Sequence, residues 1–481
     1  PDDSKVLPNL SHKASHNRLV VTHDFGPTPH LKSSLAERML QPDFAIGFAD
    51  TTKMNCEHWS THKALFGDIQ QGIPSMASSS KCVGWFFTQK KIELVNFETK
   101  YVHPDLEARV EELYEMLKQG PIQTLSQTHK KDELLDYEKV YCDNPCCRNI
   151  NAHDLAMNIV YRRVTGAYHQ HLIDHPVHSS CAIGVNPHSH MWGMLIQKAR
   201  QHPNHIAGDL SKQEATTNID FAKGYCAHIK SAYSGDEVEN TILSNLCESL
   251  DGYCFIFNGG VYQTIRGHSS GHFETANYNS YMVWAGHKLV FEHLCPELEF
   301  EEHVSLVSLG DDSDGSVSDA ASSRFNMVTI SKAFKELFGM KYTSPSKTGE
   351  IDEFIVRDED DTFLGRRTME VKHPITGKPH VVGVLRLCAI VDLLAYNVSV
   401  PGMTEEEAIA IRANVAFSEL SLHAKSTFDG LRRRYLAHMK KRKPKALPKL
   451  KTFAEYRSEM LSNWFLSDEN LNVARVVKSV L

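Results

Sequence analysis

Two adjacent acidic residues, Asp311 and Asp312, follow an alternating apolar run, and such a pair could hold a divalent cation. The run that begins with Val304 and Leu306 predicts a strand, and Gly310 permits a turn that an ordinary residue would strain. The pair is either a solvated hairpin tip or a site where a bound cation relieves the repulsion between the acids. A calcium loop is disfavoured, because the regular acid spacing and the distal Glu are missing.

The stretch from Gly267 to Ser280 offers a second kind of chemistry. Its first five residues formally match G-x-S-x-G, the nucleophile elbow of α/β-hydrolases, with Ser269 as the nucleophile. That elbow needs a strand before it, a helix after it, and an acid and a His further along the chain. A match over five positions is weak, and a hydrolase would leave Asp209 and the acidic pair without a role.

The same stretch also contains the spacing S-G-x3-T-x3-N-S, which predicts a loop that runs into a helix. Ser270, Thr275 and Asn279 would supply hydroxyl and amide groups, and the last two, four residues apart, would share one helix face. Polar residues in this arrangement can also simply cap a helix. Taken alone, the spacing does not separate a binding role from a capping role.

Six short motifs follow one another along the chain. They are a basic stretch (Lys131 to Leu134, Glu138 to Val140, and Arg148), D-x4-acid (Asp209, Glu214), S-G-x3-T-x3-N-S (Ser270 to Ser280), G-D-D (Gly310 to Asp312), F-G-x3-T-x3-K (Phe338 to Lys347) and F-L-x-R (Phe363 to Arg366). In this order they resemble the motifs of RNA-dependent RNA polymerases of picornavirus-like (picornavirus- and dicistrovirus-related) positive-strand RNA viruses. Glu419 to His423 resembles the thumb helix of insect- and alga-infecting members.

The fold class expected from the irregular alternation of strands and helices is α+β. The resemblance, which spans roughly residues 75–425, implies a closed right-hand polymerase with fingers, a palm built on an antiparallel sheet with helices, and a helical thumb. The implied boundaries are 1–168 and 217–265 for the fingers, 169–216 and 266–370 for the palm, and 371–481 for the thumb.

The implied reaction is template-directed RNA synthesis, in which ribonucleoside monophosphates are added to an RNA 3′ end during viral genome replication. This is phosphoryl transfer, which two Mg²⁺ ions, with Mn²⁺ as an alternative, can catalyse by positioning and charge neutralisation. Such ions prefer carboxylate oxygens on rigid elements, so Asp209, Asp311 and Asp312 are the predicted metal ligands and catalytic residues. Lys347 resembles the general acid that protonates the leaving pyrophosphate, although it could also be an exposed loop cation.

The remaining predicted contacts also follow from the resemblance. The residues expected to bind the nucleotide or its ribose are Glu214, Ser270, Thr275, Asn279, Lys139 and Arg148. The residues expected to bind RNA are Lys131, Arg366, Arg432, Arg433 and Arg434. The last three lie in residues 431–451, which hold ten Lys or Arg and no acid, so this segment is either a phosphate-facing patch or a solvated helix end.

The expected partners are an RNA template and primer, ribonucleoside triphosphates, a small protein primer and other viral replication proteins. The expected location is the host cytoplasm, at membrane-associated replication complexes. A catalytically inactive RNA-binding relative is the non-enzyme alternative. A reverse transcriptase is disfavoured, because the Ser270, Thr275 and Asn279 set matches the RNA-copying family.

Four positions depart from the usual motifs of the family. Glu214 stands where Asp is usual, Leu309 replaces the frequent Tyr before G-D-D, and Gly365 replaces a common Lys. Cys146-Cys147-Arg148 replaces Lys-Thr-Arg, which removes a basic side chain. None of these changes removes a predicted metal ligand.

Composition narrows the class of protein further. The chain has 481 residues, 41% of them apolar and 23% charged, as expected for a soluble globular protein. With a net charge of −7, any nucleic-acid site must be a local basic patch. No apolar run is long enough to predict a membrane span and no secretory signal is apparent, while the start at Pro1 suits a product cut from a longer precursor.

Eleven scattered cysteines favour reduced thiols inside a cell. Cys142, Cys146 and Cys147 with His153 could form a zinc site, but their spacing is irregular.

Several local elements are also predicted. Apolar spacing indicates helices over 106–119 and 191–200 and a strand over 206–210. A further helix should end at Gly339, and Thr404 with Glu407 should form a capping box at the start of a long helix.

Overall fold

The computed structural model describes residues 5–6, 30–76, 84, 86–130, 135–136, 141, 149–211, 213–250, 252–257, 259–264, 267–345, 350–357, 362–373, 377–396 and 403–462. The α-helices in these residues are α1 (Ser33–Met39), α2 (Thr61–Phe66), α3 (Lys91–Leu94), α4 (Pro104–Met116), α5 (Leu155–Asp174), α6 (His190–Ala199), α7 (Gln213–Thr216), α8 (Asp220–Lys230), α9 (Glu237–Glu248), α10 (Thr275–Leu294), α11 (Phe300–His303), α12 (Asp319–Ser322), α13 (Met327–Phe338), α14 (Leu387–Ala395), α15 (Glu405–Leu420), α16 (Lys425–Arg442) and α17 (Phe453–Leu461). Short 3-10 helices span Thr51–Lys53 and Pro444–Ala446.

The strands are β1 (Lys5–Val6), β2 (Val95–Asn96), β3 (Tyr101–Val102), β4 (Leu125–Lys130), β5 (Leu135–Asp136), β6 (Asn149–Ala152), β7 (Asn204–Ser211), β8 (Cys254–Phe257), β9 (Gly260–Gln263), β10 (Val304–Leu309), β11 (Asp312–Val317), β12 (Lys341–Thr343), β13 (Arg366–Lys372) and β14 (Pro379–Leu385). Two four-stranded sheets have the orders β10-β11-β7-β12 and β6-β4-β8-β9, and β1-β5, β2-β3 and β13-β14 form separate pairs. The first of these sheets is antiparallel throughout and carries the candidate site.

The chain divides into two compact units. The larger unit holds the described residues up to Gly184 together with Ala199–Ile355. Its core contains the long helices α5 and α10, and aromatic side chains such as Tyr281 and Trp284 of α10 pack edge-on against Phe48 or at a tilt to it. Because α10 is buried on nearly all sides, it forms a rigid support for the sheet beside it.

The smaller unit holds Val185–Lys198 and the described residues from Val356 onwards. Trp192 of α6 joins the β13–β14 hairpin: its Nε1 donates to Oγ1 of Thr368 at 3.2 Å. A Cβ atom at Gly383 would lie 2.8 Å from the same indole. This packing explains why 185–198, a predicted part of the palm, clusters with the C-terminal residues, while the boundaries of fingers, palm and thumb stay predictions.

The predicted local elements are confirmed, with boundaries shifted by one to three residues. The predicted helices correspond to α4 and α6, and the predicted strand is the centre of β7. Gly339 ends α13 with a φ of +69°, and Thr404 and Glu407 form the capping box of α15. In the described part of the chain, no helix is both long enough and apolar enough to span a bilayer.

Candidate active site

The β10–β11 hairpin carries the acidic pair at its tip. Leu309 pairs with Asp312, so Gly310 and Asp311 between them form a two-residue turn. Gly310 has a φ of +65°, whereas Asp311 is not among the residues with positive φ. This is the pattern of a type II′ turn, which takes Gly at its first central position. The predicted glycine-dependent turn before the acids is therefore confirmed.

Strand β7 brings Asp209 to the same end of the sheet. Gly208 pairs with Ser313 on β11, and continuing that register by one residue places Asp209 opposite Asp312. Asp209 is half-buried, whereas Asp311 and Asp312 are exposed. Three carboxylates, one on β7 and two at the β10–β11 turn, therefore lie at the same end of the sheet.

The chemistry of this donor set fits hard divalent cations, which prefer carboxylate oxygens. As the side chains stand, no three His, Cys, Asp or Glu residues of the described ranges converge closely enough to hold a metal ion. Like charges repel at short range, so we expect the three acids to lie apart until a cation draws them together. The types and strand positions of these residues thus suit a cation site.

Gly208, which precedes Asp209, lies against the ring of Tyr342 on β12. A Cβ atom at position 208 would stand 2.1 Å from Cζ of Tyr342, whose side chain is fully buried. Any side chain at 208 would therefore displace either this ring or β7. The requirement is invisible in the sequence, because the two residues are far apart along the chain.

Three buried serine hydroxyls fix the hairpin against its neighbours. Ser313 donates to the backbone carbonyl of Gly208 at 3.1 Å, and Ser308 donates to the carbonyl of Ser280 on α10 at 3.0 Å. The hydroxyl of Ser280 accepts the backbone N–H of Gly310 at 2.9 Å. The hairpin is thus tied to β7 on one side and to α10 on the other by uncharged groups.

The loop before α10 is closed by its own polar groups. The hydroxyl of Thr275 lies within hydrogen-bond distance of two carbonyls, those of Ser269 at 3.0 Å and His272 at 2.8 Å. Gly271 has a φ of +99°, and a Cβ atom there would lie 2.4 Å from the carbonyl oxygen of Asn151. The predicted loop running into a helix is confirmed. The Thr275 hydroxyl thus already binds two carbonyls of this loop. The nucleotide contacts expected of Ser270 and Thr275 stay predictions.

Glu274, which the motif spacing did not single out, fixes this loop to helices α5 and α8. Its carboxylate is almost fully buried and lies 2.7 Å from Nε2 of His169, while Thr165 and Tyr225 donate hydroxyl hydrogen bonds to it. Burial raises the pKa of Glu274, but the charge and hydrogen bond of His169, with the two hydroxyls, hold that pKa below its usual range. A Glu inside the S-G-x3-T spacing gives no sequence signal for such a role.

Two buried amide oxygens lie near the start of α10. Nε2 of Gln213, on α7, donates to the backbone carbonyl of Asn279 at 3.4 Å. Within the described residues, neither Oε1 of Gln213 nor Oδ1 of Asn279 has a hydrogen-bond partner. The backbone of Glu214 lies next along α7, but its side chain is outside the description. The arrangement offers two acceptors to a hydroxyl donor.

Ser269 does not lie in a nucleophile elbow. It is buried in the loop before α10, six residues ahead of the helix start at Thr275 and not at a sharp turn into the helix, and its hydroxyl contacts the carbonyl of Ser270 at 3.4 Å. The cavity beside Ser269 has a volume of about 30 Å³, enough for about one water molecule and too small for an ester substrate. The hydrolase alternative is not supported.

Arg366, which is half-buried, pairs with the buried Glu419 in the smaller unit. Its guanidinium donates to both carboxylate oxygens of Glu419 on α15, at 3.0 and 2.9 Å, and also contacts Nε2 of His188 at 3.1 Å. Burial raises the pKa of the Glu419 carboxyl, but hydrogen bonds and charges from His188 and Arg366 lower it to about 2. Two motifs noted separately in the sequence therefore bind each other, and the RNA contact expected of Arg366 stays a prediction.

Helix α16 presents several of its cations on one exposed face. Phe428 and Met439 are buried on the opposite face, and Arg432 is half-buried, with a guanidinium nitrogen 3.4 Å from the carbonyl of Leu450. Four of the exposed cations stand seven residues apart in two rows, so each row spans about 10 Å of the helix. The rows are Arg433 with Lys440 and Arg434 with Lys441, and we call these four residues the basic stripe.

The other predicted site residues lie outside the described part of the chain. They are Lys131, Lys139, Arg148 and Lys347, together with the three cysteines of the zinc hypothesis, Cys142, Cys146 and Cys147. His153, the fourth member of that hypothesis, is buried, and its Nδ1 lies 3.0 Å from the hydroxyl of Ser126.

The fold and the acid-tipped hairpin define a right-hand polymerase. The structure is similar to that of a "Sicinivirus 3Dpol RNA dependent RNA polymerase", with a TM-score of 0.74 over 95% of this chain and 92% of that chain. At 15% sequence identity, this similarity shows the fold. The predicted α+β right-hand class is confirmed.

Sequence similarity then gives the family. The family described as "Viral RNA-dependent RNA polymerase" matches residues 68–440, so the chain belongs to it. The chain is 28% identical over 318 residues to the replicase polyprotein of Acute bee paralysis virus, covering 62% of this chain and 16% of that protein. It is 26% identical over 349 residues to the replicase polyprotein of Cricket paralysis virus, covering 68% and 19%. The chain thus spans less than a fifth of these polyproteins. The family match confirms the predicted enzyme class.

Proposed function

We propose that this chain catalyses template-directed RNA synthesis, adding ribonucleoside monophosphates to the 3′ end of an RNA primer. The observation that carries the proposal is that Asp209 shares one sheet edge with Asp311 and Asp312. The Gly310 turn of that edge is joined by a hydrogen bond to α10, which carries Asn279. Membership of the polymerase family supports this assignment.

In the proposed reaction the primer 3′ oxygen attacks the α-phosphorus of the incoming nucleotide. The new O–P bond forms as the bond to pyrophosphate breaks, and the 3′ hydroxyl loses its proton to water. Bound divalent cations, Mg²⁺ or alternatively Mn²⁺, would neutralise the charge that develops on the transferring phosphoryl group. Asp209 and Asp311 would hold these cations, with Asp312 in support. Lys347 would donate a proton to the departing pyrophosphate.

The ribose is proposed to be read by the amide pair at the start of α10. A 2′ hydroxyl is a hydrogen-bond donor, and Oδ1 of Asn279 and Oε1 of Gln213 are buried acceptors without another partner in the described residues. An unsatisfied buried acceptor is unfavourable, so a nucleotide that lacks the hydroxyl is penalised. Glu214, one residue after Gln213, is proposed to complete this contact, together with Ser270.

RNA is proposed to bind through basic side chains that precede and follow the catalytic acids in the sequence. The basic stripe of α16 supports a phosphate contact, because its cations are exposed. The small residues Gly430, one turn before the stripe, and Ala437, within it, leave room for a close approach. Lys131, Lys139 and Arg148 are proposed to contact template or triphosphate from the sequence resemblance alone.

The proposed setting is the replication of a positive-strand RNA virus inside its host cell. It rests on the similarity to replicase polyproteins of viruses named for bees and crickets. A small protein primer, other viral replication proteins and cytoplasmic membrane-associated complexes are part of the proposal, and they rest on the family resemblance.

The test is primer extension with purified protein, a primed RNA template, ribonucleotides and Mg²⁺. We expect extension that depends on the template sequence and stops when EDTA removes the cation. A matched DNA template should support much less synthesis. Absence of extension with both Mg²⁺ and Mn²⁺, by protein that binds the primed RNA, would contradict the proposal.

A further inference from the structure

The hydroxyl of Ser280 has a position that the reaction scheme above does not use. It is fully buried, donates to the carbonyl of Ala276 at 2.7 Å and accepts the N–H of Gly310 at 2.9 Å. A serine hydroxyl has one donor and two acceptor sites, so it can make both bonds at once. The bond to Ala276, one turn back in the helix, fixes the direction in which the oxygen lone pairs point.

The amide bound by Ser280 belongs to the turn that displays the acids. Gly310 is the first central residue of that turn, immediately before Asp311. In a two-residue hairpin this amide lies outside the ladder of the two strands, so it needs a partner from elsewhere. A second bond, from the Ser308 hydroxyl to the carbonyl of Ser280, joins the same two elements one step down the strand.

Ser280 also directly follows Asn279 on α10. The hydrogen bond between Ser280 and Gly310 therefore joins the direct chain neighbours of two proposed functional residues. Asn279, which would contact the ribose, precedes Ser280, and Asp311, which would contact the cation, follows Gly310. A movement of the α10 start that repositions Asn279 must also move the acceptor of the Gly310 amide. This covalent and hydrogen-bonded path is short and consists of buried groups.

We propose that Ser280 is a positioning residue, which sets the place of the Asp311 carboxylate relative to Asn279 through the Gly310 amide. The inference rests on the proposed function, since it assigns Asp311 to cation binding. A hydroxyl suits this task because it is uncharged. A Lys or Arg side chain in its place would compete with divalent cations for the same carboxylates.

The first measurement uses Ser280→Ala and a matched control, Ser316→Ala. Ser316 is also fully buried in the β10–β11 hairpin, and its hydroxyl also accepts a backbone N–H, that of His202 at 3.0 Å, at the end remote from the turn. Both variants lose a hydrogen bond to a backbone N–H, and Ser280→Ala also loses the bond to the Ala276 carbonyl, so it should lose at least as much thermal stability as Ser316→Ala. Only Ser280→Ala should speed the hydrogen exchange of the Gly310 amide.

The second measurement is the Mn²⁺ affinity of the protein without RNA or nucleotide, determined from water-proton relaxation. We expect Ser280→Ala to weaken Mn²⁺ binding by about 3- to 10-fold, the factor that corresponds to one hydrogen bond. Ser316→Ala should bind as the wild type does. Ser280→Thr, which keeps the hydroxyl, should recover most of the affinity.

Equal Mn²⁺ affinity of Ser280→Ala and wild type, or equal weakening by Ser316→Ala, would overturn the proposal. Unchanged exchange of the Gly310 amide in Ser280→Ala would overturn it as well. A wild-type protein that fails to extend primed RNA would instead refute the proposed function. The amide exchange and Mn²⁺ measurements judge Ser280 independently of that outcome.

Discussion

Two β-hairpins, each within its own compact unit, are fixed to a helix by opposite kinds of chemistry. The β10–β11 hairpin is held to α10 by the hydroxyls of Ser280 and Ser308. The β13–β14 hairpin is held to α15 by the two-pronged ion pair between Arg366 and Glu419. The first hairpin ends in exposed acids, whereas the second pairs its half-buried Arg366 with a buried acid of the helix.

The difference follows from what each hairpin must leave available. A cation fixed at the β10–β11 turn would weaken the field of its acids, and hydroxyls orient the turn without that effect. Where an acid of this hairpin is buried, as Asp314 is, a cation does approach it: Arg200 lies 3.9 Å away. In the β13–β14 cluster nothing has to be left for a ligand, so charge can be paired fully.

The turn just before the second hairpin also differs from the turn of the first. The F-L-G-R turn that leads into β13 has positive φ at both central residues, +53° at Leu364 and +69° at Gly365, which is the pattern of a type I′ turn. A Cβ atom at 365 would meet nothing within 4 Å, so glycine is favoured there by its backbone conformation and not by space. This gives a physical reason for Gly365 where the family commonly has Lys.

The largest expected effect comes from removing one exposed acid of the first hairpin. Asp311→Asn should lower primer extension by more than about 10³-fold, because a bridging cation ligand should matter more than a single transition-state donor. RNA binding and thermal stability should stay near those of the wild type, since Asp311 is exposed. Filter binding and a thermal melt, run beside the extension assay, check this.

The matched control for this variant is Asp319→Asn. Asp319 is another exposed acid, just beyond the other end of the hairpin, where it accepts a hydrogen bond from Asn204. We expect this variant to keep nearly full extension. Substantial activity of Asp311→Asn would sink the assignment of that carboxylate to the cations.

The second hairpin should respond in stability and not in chemistry. Glu419→Gln leaves the half-buried Arg366 guanidinium without its carboxylate, which should reduce the free energy of unfolding by about 1–3 kcal/mol. Urea unfolding of the two proteins measures this loss. A double variant that replaces both partners by apolar residues, Arg366→Met with Glu419→Leu, should recover most of it.

Acid should remove the same contribution in the wild type. The pKa of Glu419 is about 2 in the folded protein, below its ordinary value of 4.5, so the stabilisation is complete above pH 4.5 and is lost as the pH falls toward 2. The stability difference between wild type and Glu419→Gln should shrink over that interval. If Arg366→Ala leaves stability intact but lowers the salt dependence of RNA binding, the predicted RNA contact is right and the structural role is wrong.

The contrast between the hairpins also marks what sequence could reveal. The acids, the Gly310 turn and the start of α10 were predictable because local turn chemistry and motif spacing encode them. The Arg366–Glu419 pair was not, although both residues lie in motifs, because a pairing between distant segments has no local signature. The buried carboxylate of Glu274 and the contact of Gly208 with Tyr342 were missed for the same reason.

A smaller effect is expected beside the first hairpin, at the proposed ribose contact. Asn279→Ala should lower the preference for ribonucleotides over deoxyribonucleotides by about 10- to 100-fold, because it removes one buried acceptor of the 2′ hydroxyl. Ribonucleotide use at saturating substrate should fall less. Single-nucleotide extension with matched sugars measures both quantities, and an equal loss for both sugars would mean that Asn279 only holds the loop.

The smallest effect is expected from the exposed cations of helix α16, which belong to neither hairpin. Arg433→Ala with Arg434→Ala should flatten the dependence of RNA affinity on salt, by about 0.7–0.9 log unit for each phosphate group that the variant no longer neutralises. Arg432→Ala is the internal control, because that side chain is half-buried and contacts the carbonyl of Leu450. It should therefore affect thermal stability more than the salt slope. Binding isotherms from about 50 to 200 mM salt separate the two results. An unchanged slope in the double variant would show that the basic stripe faces solvent, as an exposed helix end does by default.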